Sequence, residues 1–138
     1  MVDIDVISGD VLHLSYLIHR ELGPGLLESV YETVLAAKLT AKGYTVDRQL
    51  PVDIEFEDLR FEAAFRADLL VDGRLLIEIK SVANLNAAHR KQLLTYLRLM
   101  HLPVGLLINF AGATLKEGFH RIVNNHRPSA SSRLRVNN

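Results

Sequence analysis

The sequence predicts a layered α/β domain, a mixed β-sheet flanked by helices in the order ααβββαβ. Three observations carry this. Two N-terminal stretches place apolar residues at helical spacing and stop at glycine. The pattern then changes to a period of two over residues 44–81. A third helical stretch follows and leads into Val104-Gly-Leu-Leu-Ile-Asn-Phe110, a continuous apolar run that suits a strand buried on both faces.

The first helix is expected from about Ser8 to Leu22, with Ser8 as N-cap and Val11, Leu14, Leu17, Ile18 and Leu22 on one face. Gly23-Pro24-Gly25 ends it. The second runs from about Leu27 to Lys42, turns Val30, Val34, Leu35 and Leu39 inward, and stops at Gly43. Tyr44 to Phe56 reads as an extended segment interrupted at Pro51. Arg60–Val71 and Arg74–Ser81 are further strands joined through Asp72-Gly73. The third helix covers about Ala87 to Met100, with Leu93, Leu94, Leu97 and Met100 as its stripe, and a short strand is expected near Phe119–Val123. Residues 1–126 read as a single domain. Residues 127–138 lose apolar periodicity and are expected to form a mobile polar, basic tail.

The composition bounds the chemistry. A chain of 138 residues suits one domain that buries most of its surface without a covalent staple. With no cysteine, thiolate metal sites and cysteine nucleophiles are excluded, so a metal must be held by oxygen or imidazole. The start MVDIDVISGD is acidic where a secretory signal is basic, and no apolar run approaches the ~20 residues of a membrane span. The expected location is the cytoplasm. Lys plus Arg and Asp plus Glu both total 16, so net charge alone does not signal nucleic acid. From Lys116 onward, however, five bases face the single acid Glu117.

The stretch from Asp68 to Lys80 is the most informative. Alternate strand residues share a face, so Glu78 and Lys80 point one way while Ile77 and Ile79 point the other. Whether Asp68 joins them depends on the turn. A two-residue Asp72-Gly73 hairpin sets Asp68 against Ile77, on the wrong face. A three-residue Val71-Asp72-Gly73 loop with a bulge sets it against Leu76, leaving Glu78 a diagonal neighbour roughly 7–8 Å away. The second register is the expectation, because it lets two carboxylates hold one Mg²⁺ or Mn²⁺. Read without a metal, the same residues are a surface ion pair at Glu78 and a solvated Asp68. Gln92 and Tyr96, four apart, share a face of the third helix, as do Glu28, Tyr31, Glu32 and Leu35 on the second.

No two of the six histidines have the helical spacing of a zinc motif. His13 and His19 read as ordinary helix residues. His89 could reach a phosphate.

Gly25-Leu-Leu-Glu28-Ser-Val-Tyr31 resembles the signature of the GxxExxY proteins, a bacterial and archaeal family assigned to the PD-(D/E)XK nuclease superfamily. The likeness extends through Arg66-Ala-Asp68, Glu78-Ile-Lys80, Gln92-Leu-Leu-Thr-Tyr96-Leu-Arg98 and Gly105-Leu-Leu-Ile-Asn109-Phe110, over about residues 10–124. Phe65 stands where a tyrosine is expected. The resemblance implies a restriction-endonuclease-like core and a metal-dependent nuclease acting on DNA or RNA. Asp68, Glu78 and Lys80 are its implied triad. Asp68, Glu78 and the Ile79 carbonyl are the implied ligands of Mg²⁺ or Mn²⁺, with Glu28 as a direct or water-mediated ligand. Lys80 would serve the attacking water, Gln92 would orient Lys80 or substrate, and Tyr31 and Tyr96 would support them. The competing reading is a catalytically silent nucleic-acid-binding or protein-interaction module on the same fold, as a homodimer; a dimer could also assemble a basic groove that neither subunit shows alone.

Overall fold

The computed structural model describes residues 2–125, in the order α1 (Ile4–Leu22), α2 (Glu28–Ala41), β1 (Val46–Phe56), β2 (Leu59–Val71), β3 (Leu75–Lys80), α3 (Ala87–Met100), β4 (Val104–Asn109), α4 (Leu115–Gly118) and β5 (Phe119–Val123). The expected tail at 127–138 lies outside the described residues. The strands form one sheet in the order β1-β2-β3-β4-β5, with β3 and β4 parallel and the other neighbours antiparallel. Parallel neighbours need a crossover, and α3 supplies it. No described helix is long and apolar enough to cross a membrane.

The sheet buries both faces. Ile7, Val11 and Ile18 of α1 and Tyr31, Leu35 and Leu39 of α2 pack on Leu69, Leu75, Ile77, Ile79, Leu106 and Ile108. On the other face Leu93 and Leu97 of α3 cover Ala67, Leu76 and Leu107. All six residues of β4 are buried, as its uninterrupted apolar run predicts. A mixed sheet between two helical layers is the restriction-endonuclease-like architecture.

Four local expectations are corrected. Helix α1 begins at Ile4, capped by Asp3, whose Oδ1 accepts from Asp5 N at 2.8 Å. Ser8 is therefore inside the helix, and the stripe starts a turn earlier with Ile4 and Ile7. Val30 is 37 % exposed, because Tyr31 rather than Val30 turns into the core and stacks on Phe110 with centroids 4.3 Å apart. Pro51 does not interrupt β1; it pairs with Arg66, and the irregularity falls between Val52 and Ile54. An edge strand tolerates proline because the missing N–H can face away from the sheet.

The fourth concerns the β2–β3 turn. Val71 pairs with Leu75, Leu70 with Leu76 and Leu69 with Ile77, so the connection is Asp72-Gly73-Arg74 rather than Val71-Asp72-Gly73. Asp72 and Gly73 both have positive φ, 52° and 66°, and Arg74 N donates to Val71 O at 3.0 Å. This is a tight turn followed by one extra residue. Thr45, just before β1, decides it: Asp72 N donates to Thr45 O, and Thr45 N to Asp72 Oδ1, each at 2.8 Å. Continued by one pair, the observed register sets Asp68 directly across from Glu78.

Between α1 and α2 the chain is held by one phenol. The Tyr31 hydroxyl donates to Gly23 O at 2.6 Å and accepts from Leu26 N at 3.1 Å, in a side chain that is fully buried. Gly23 and Gly25 have φ of 77° and 99°, values at which a side chain would be strained. Tyr31→Phe keeps the ring stacking but strands both main-chain groups. We expect a loss of about 1–3 kcal/mol, read as a lower thermal midpoint; an unchanged midpoint would show that the hydroxyl does not hold the loop.

Candidate functional site

Strands β2 and β3 pair only over Leu69–Val71 and Leu75–Ile77. Beyond that point carboxylates take over the ladder. Asp68 N donates to Glu78 Oε2 at 3.0 Å, and Ile79 N donates to Asp68 Oδ2 at 2.8 Å. Each acid thus satisfies a main-chain donor that the parting strands would otherwise leave exposed.

The strands part because the β1–β2 pair changes faces here. Leu69 and Val71 face the α1/α2 core, whereas Ala67, two residues before Leu69, faces α3. Simple alternation would keep all three together. The reversal coincides with Gln49, which lies opposite Asp68 in β1 and has a φ of 49°. Its amide Nε2 donates to Glu32 Oε1 at 2.7 Å and to Asp68 Oδ1 at 3.2 Å. Glu32, 6 % exposed, also pairs with Arg48 at 3.3 Å.

These acids are held where a bare negative charge is costly. Burial, with the Asp68 charge next in importance, pushes Glu78 up to about 8 from 4.5. Asp68 is also raised, chiefly by burial, against lowering by the Ile79 N–H, the Gln49 amide and the Lys80 charge. Lys80 lies on the same face of β3 as Glu78.

The remaining predicted residues divide. Glu28, at the first turn of α2, accepts from Ser81 N through Oε2 at 3.1 Å, and its charge acts on Asp68. It therefore reaches the site from the helical layer. Tyr96 stacks on Phe65 with centroids 3.9 Å apart, and burial together with the charges of Glu78 and Asp68 raises its hydroxyl. Phe65 thus uses its ring, which needs no hydroxyl. Tyr31 sits in the core and acts on the loop before Glu28. Gln92 is exposed on α3, and no hydrogen bond joins it to the acids or Lys80 among the described residues. Ile79 is buried, and its N–H meets Asp68. His89 closes the N-terminus of α3 in a capping box with Asn86, its Nδ1 accepting from Asn86 N at 3.2 Å. His19 bonds the Gly112 carbonyl at 2.9 Å, as an ordinary helix residue can.

Gln49 and Glu32 were not singled out from the sequence as site residues. Glu32 had a signal in its spacing of four from Glu28. Gln49 had none, since a polar residue in an edge strand is unremarkable until its backbone angle and partner are known.

Among the described residues no group of three acidic or imidazole side chains is arranged to hold a metal. Two carboxylates nevertheless fit a magnesium-type ion, which usually takes one or two from the protein and keeps water in its other positions. A cation would also offset the charge that burial makes unfavourable on Glu78.

A family model described as the PD-(D/E)XK nuclease superfamily matches residues 5–122. No curated protein and no solved structure matches the chain. With well over half of its length under that model, the chain belongs to the PD-(D/E)XK nuclease superfamily.

Proposed function

We propose that this protein is a metal-dependent phosphodiesterase that hydrolyses DNA or RNA. The observation that carries the reading is the pair of a buried Glu78 and a half-buried Asp68 where β2 and β3 part, with Lys80 next on the same face as Glu78. A structural ion pair has no need of a second acid beside a buried glutamate.

Asp68 and Glu78, with the main-chain carbonyl of Ile79, are the residues that would hold Mg²⁺ or Mn²⁺, and Glu28 would add a direct or water-mediated contact. When bound there, the ion would lower the pKa of a coordinated water and offset phosphate charge. Lys80 acts on the substrate side: its ammonium donates to the attacking water or to a non-bridging phosphate oxygen as negative charge develops. Water oxygen bonds to phosphorus, the P–O bond to the leaving sugar oxygen breaks, and that oxygen takes a proton. Gln49 holds Asp68 in place from β1, and Glu28 ties the segment after Lys80 to α2. Gln92, exposed on α3, would contact substrate. We propose a cytoplasmic location, which suits an enzyme that uses nucleic acid and Mg²⁺.

In a panel of single- and double-stranded DNA and RNA with Mn²⁺, we expect wild-type cleavage and a loss of roughly 100- to 1000-fold in Lys80→Ala. Asp68→Ala should in addition lose Mn²⁺ binding by calorimetry. A folded wild type that cleaves nothing in the panel would replace this reading with the silent binding module.

A pH dependence follows from Glu78. Folded, it keeps its proton to about 8; unfolded, it loses it near 4.5. Between those values the folded state binds more protons, so stability falls as pH rises, by up to about 1.4 kcal/mol per unit. Metal competes with that proton, so added Mg²⁺ should raise the thermal midpoint more at about pH 9 than at about pH 5. Glu78→Gln should flatten both trends, and equal stabilisation by Mg²⁺ at the two pH values would contradict a metal on Glu78.

A further inference from the structure

A cavity of about 280 Å³ opens beside the Lys80 end of the central strands, lined among others by Asn84, Leu85, Arg90, Glu117 and His120. It adjoins the acid site. Asn109, which also lines it, is the register partner of Lys80 in the neighbouring parallel strand, and such strands lie about 4.8 Å apart.

Its walls are built in advance. The Asn109 amide, 6 % exposed, accepts from Val82 N at 3.0 Å and Ala111 N at 3.2 Å and donates to Val82 O at 2.9 Å. One side chain therefore pins the segments that leave both β3 and β4. Gly118 packs so closely on Asn109 that an added Cβ would stand 2.1 Å from its carbonyl oxygen. Capping boxes at Asn86/His89 and Thr114/Glu117 fix the helices on either side.

The lining suits an anion that carries a polar ring. Arg90 occupies the first turn of α3, which has no acidic residue. A cation there opposes the helix dipole, and a bound anion would reverse that cost. His120 is lowered by burial first and by Arg90 second, which leaves the imidazole neutral near pH 7 and Arg90 as the cavity's cation. Arg90 Nη2 lies 3.3 Å from His120 Nδ1. In the same lining, Glu117 and Asn84 offer acceptors and an amide donor, and Leu85 an apolar surface. The volume lies near the lower end for small-ligand sites and suits one nucleotide, not a duplex.

We propose that this cavity receives one unstacked nucleotide of the strand that crosses the Asp68–Glu78–Lys80 site, its phosphate on Arg90 and its base among Leu85, Asn84 and Glu117. A base can enter only after leaving its stack, so the substrate is single-stranded or locally unpaired nucleic acid. This rests on the nuclease reading, but its test does not depend on cleavage.

The experiment measures fluorescence anisotropy of short labelled single strands of DNA and RNA, and of the matching duplexes, with the Lys80→Ala chain. The expected result is binding of one single strand at least about tenfold tighter than its duplex, weakened about tenfold by adding Arg90→Ala and partly recovered by Arg90→Lys. A nucleoside monophosphate should displace the strand from the Arg90 chain but compete poorly with the Arg90→Ala chain. Equal or tighter duplex binding, or an Arg90→Ala effect below about twofold, would overturn the proposal. Wild-type cleavage with indifference to Arg90 would reject the cavity and keep the nuclease; Arg90-dependent binding without wild-type cleavage would do the reverse.

Discussion

Two carboxylates inside a β-sheet are unfavourable unless something compensates them, and much of the local architecture is that compensation. Asp68 and Glu78 each accept a main-chain N–H that the parting strands would leave unbonded. The same parting gives the acids their place, since an unbroken ladder would have no room for side chains between β2 and β3. Gln49 completes the arrangement by bridging Asp68 to Glu32, and its left-handed backbone marks where β1 and β2 exchange faces. Burial still outweighs these bonds at Glu78, which keeps its proton to about 8.

The helical layers bring the rest of the polar machinery to the same end of the sheet. Tyr31 fastens the Gly-Pro-Gly loop, which places Glu28 at the start of α2, and Glu28 with Leu26 then holds Ser81 just past Lys80. The GxxExxY pattern thus has a physical content: a glycine with positive φ, an acid that reaches the strand end, and a phenol that locks the loop between them. On the far side of Lys80, Asn109 plays the matching part for the segments after β3 and β4. Rigid supports on both flanks suit a reaction that depends on positioning.

Much of this was legible in the chain itself. The third helix spans Ala87–Met100 as its apolar spacing indicates, and the uniform burial of Val104–Asn109 follows from an unbroken apolar run. Misreadings fell where a local cue was ambiguous. Ser8 and Asp3 are both capping residues by type, and Asp3 serves because the buried stripe begins at Ile4. Pro51 signals a break only in a strand with two neighbours, and strand order is not written in a single segment.

The sequence by itself determined that Glu78 and Lys80 share a face, because a strand's period of two leaves no choice. It also determined that any metal is held without thiolate, because no cysteine is present. Tertiary structure decided how Asp68 meets Glu78. The Asp72-Gly73 turn admits more than one register, and the selecting contact is a pair of hydrogen bonds between Asp72 and Thr45, 27 residues apart. The cavity beside Lys80 is likewise a tertiary product, made where segments from β3, β4, α3 and α4 converge on Asn109. Local periodicity chooses elements and faces; only contacts between distant residues choose register and enclose space.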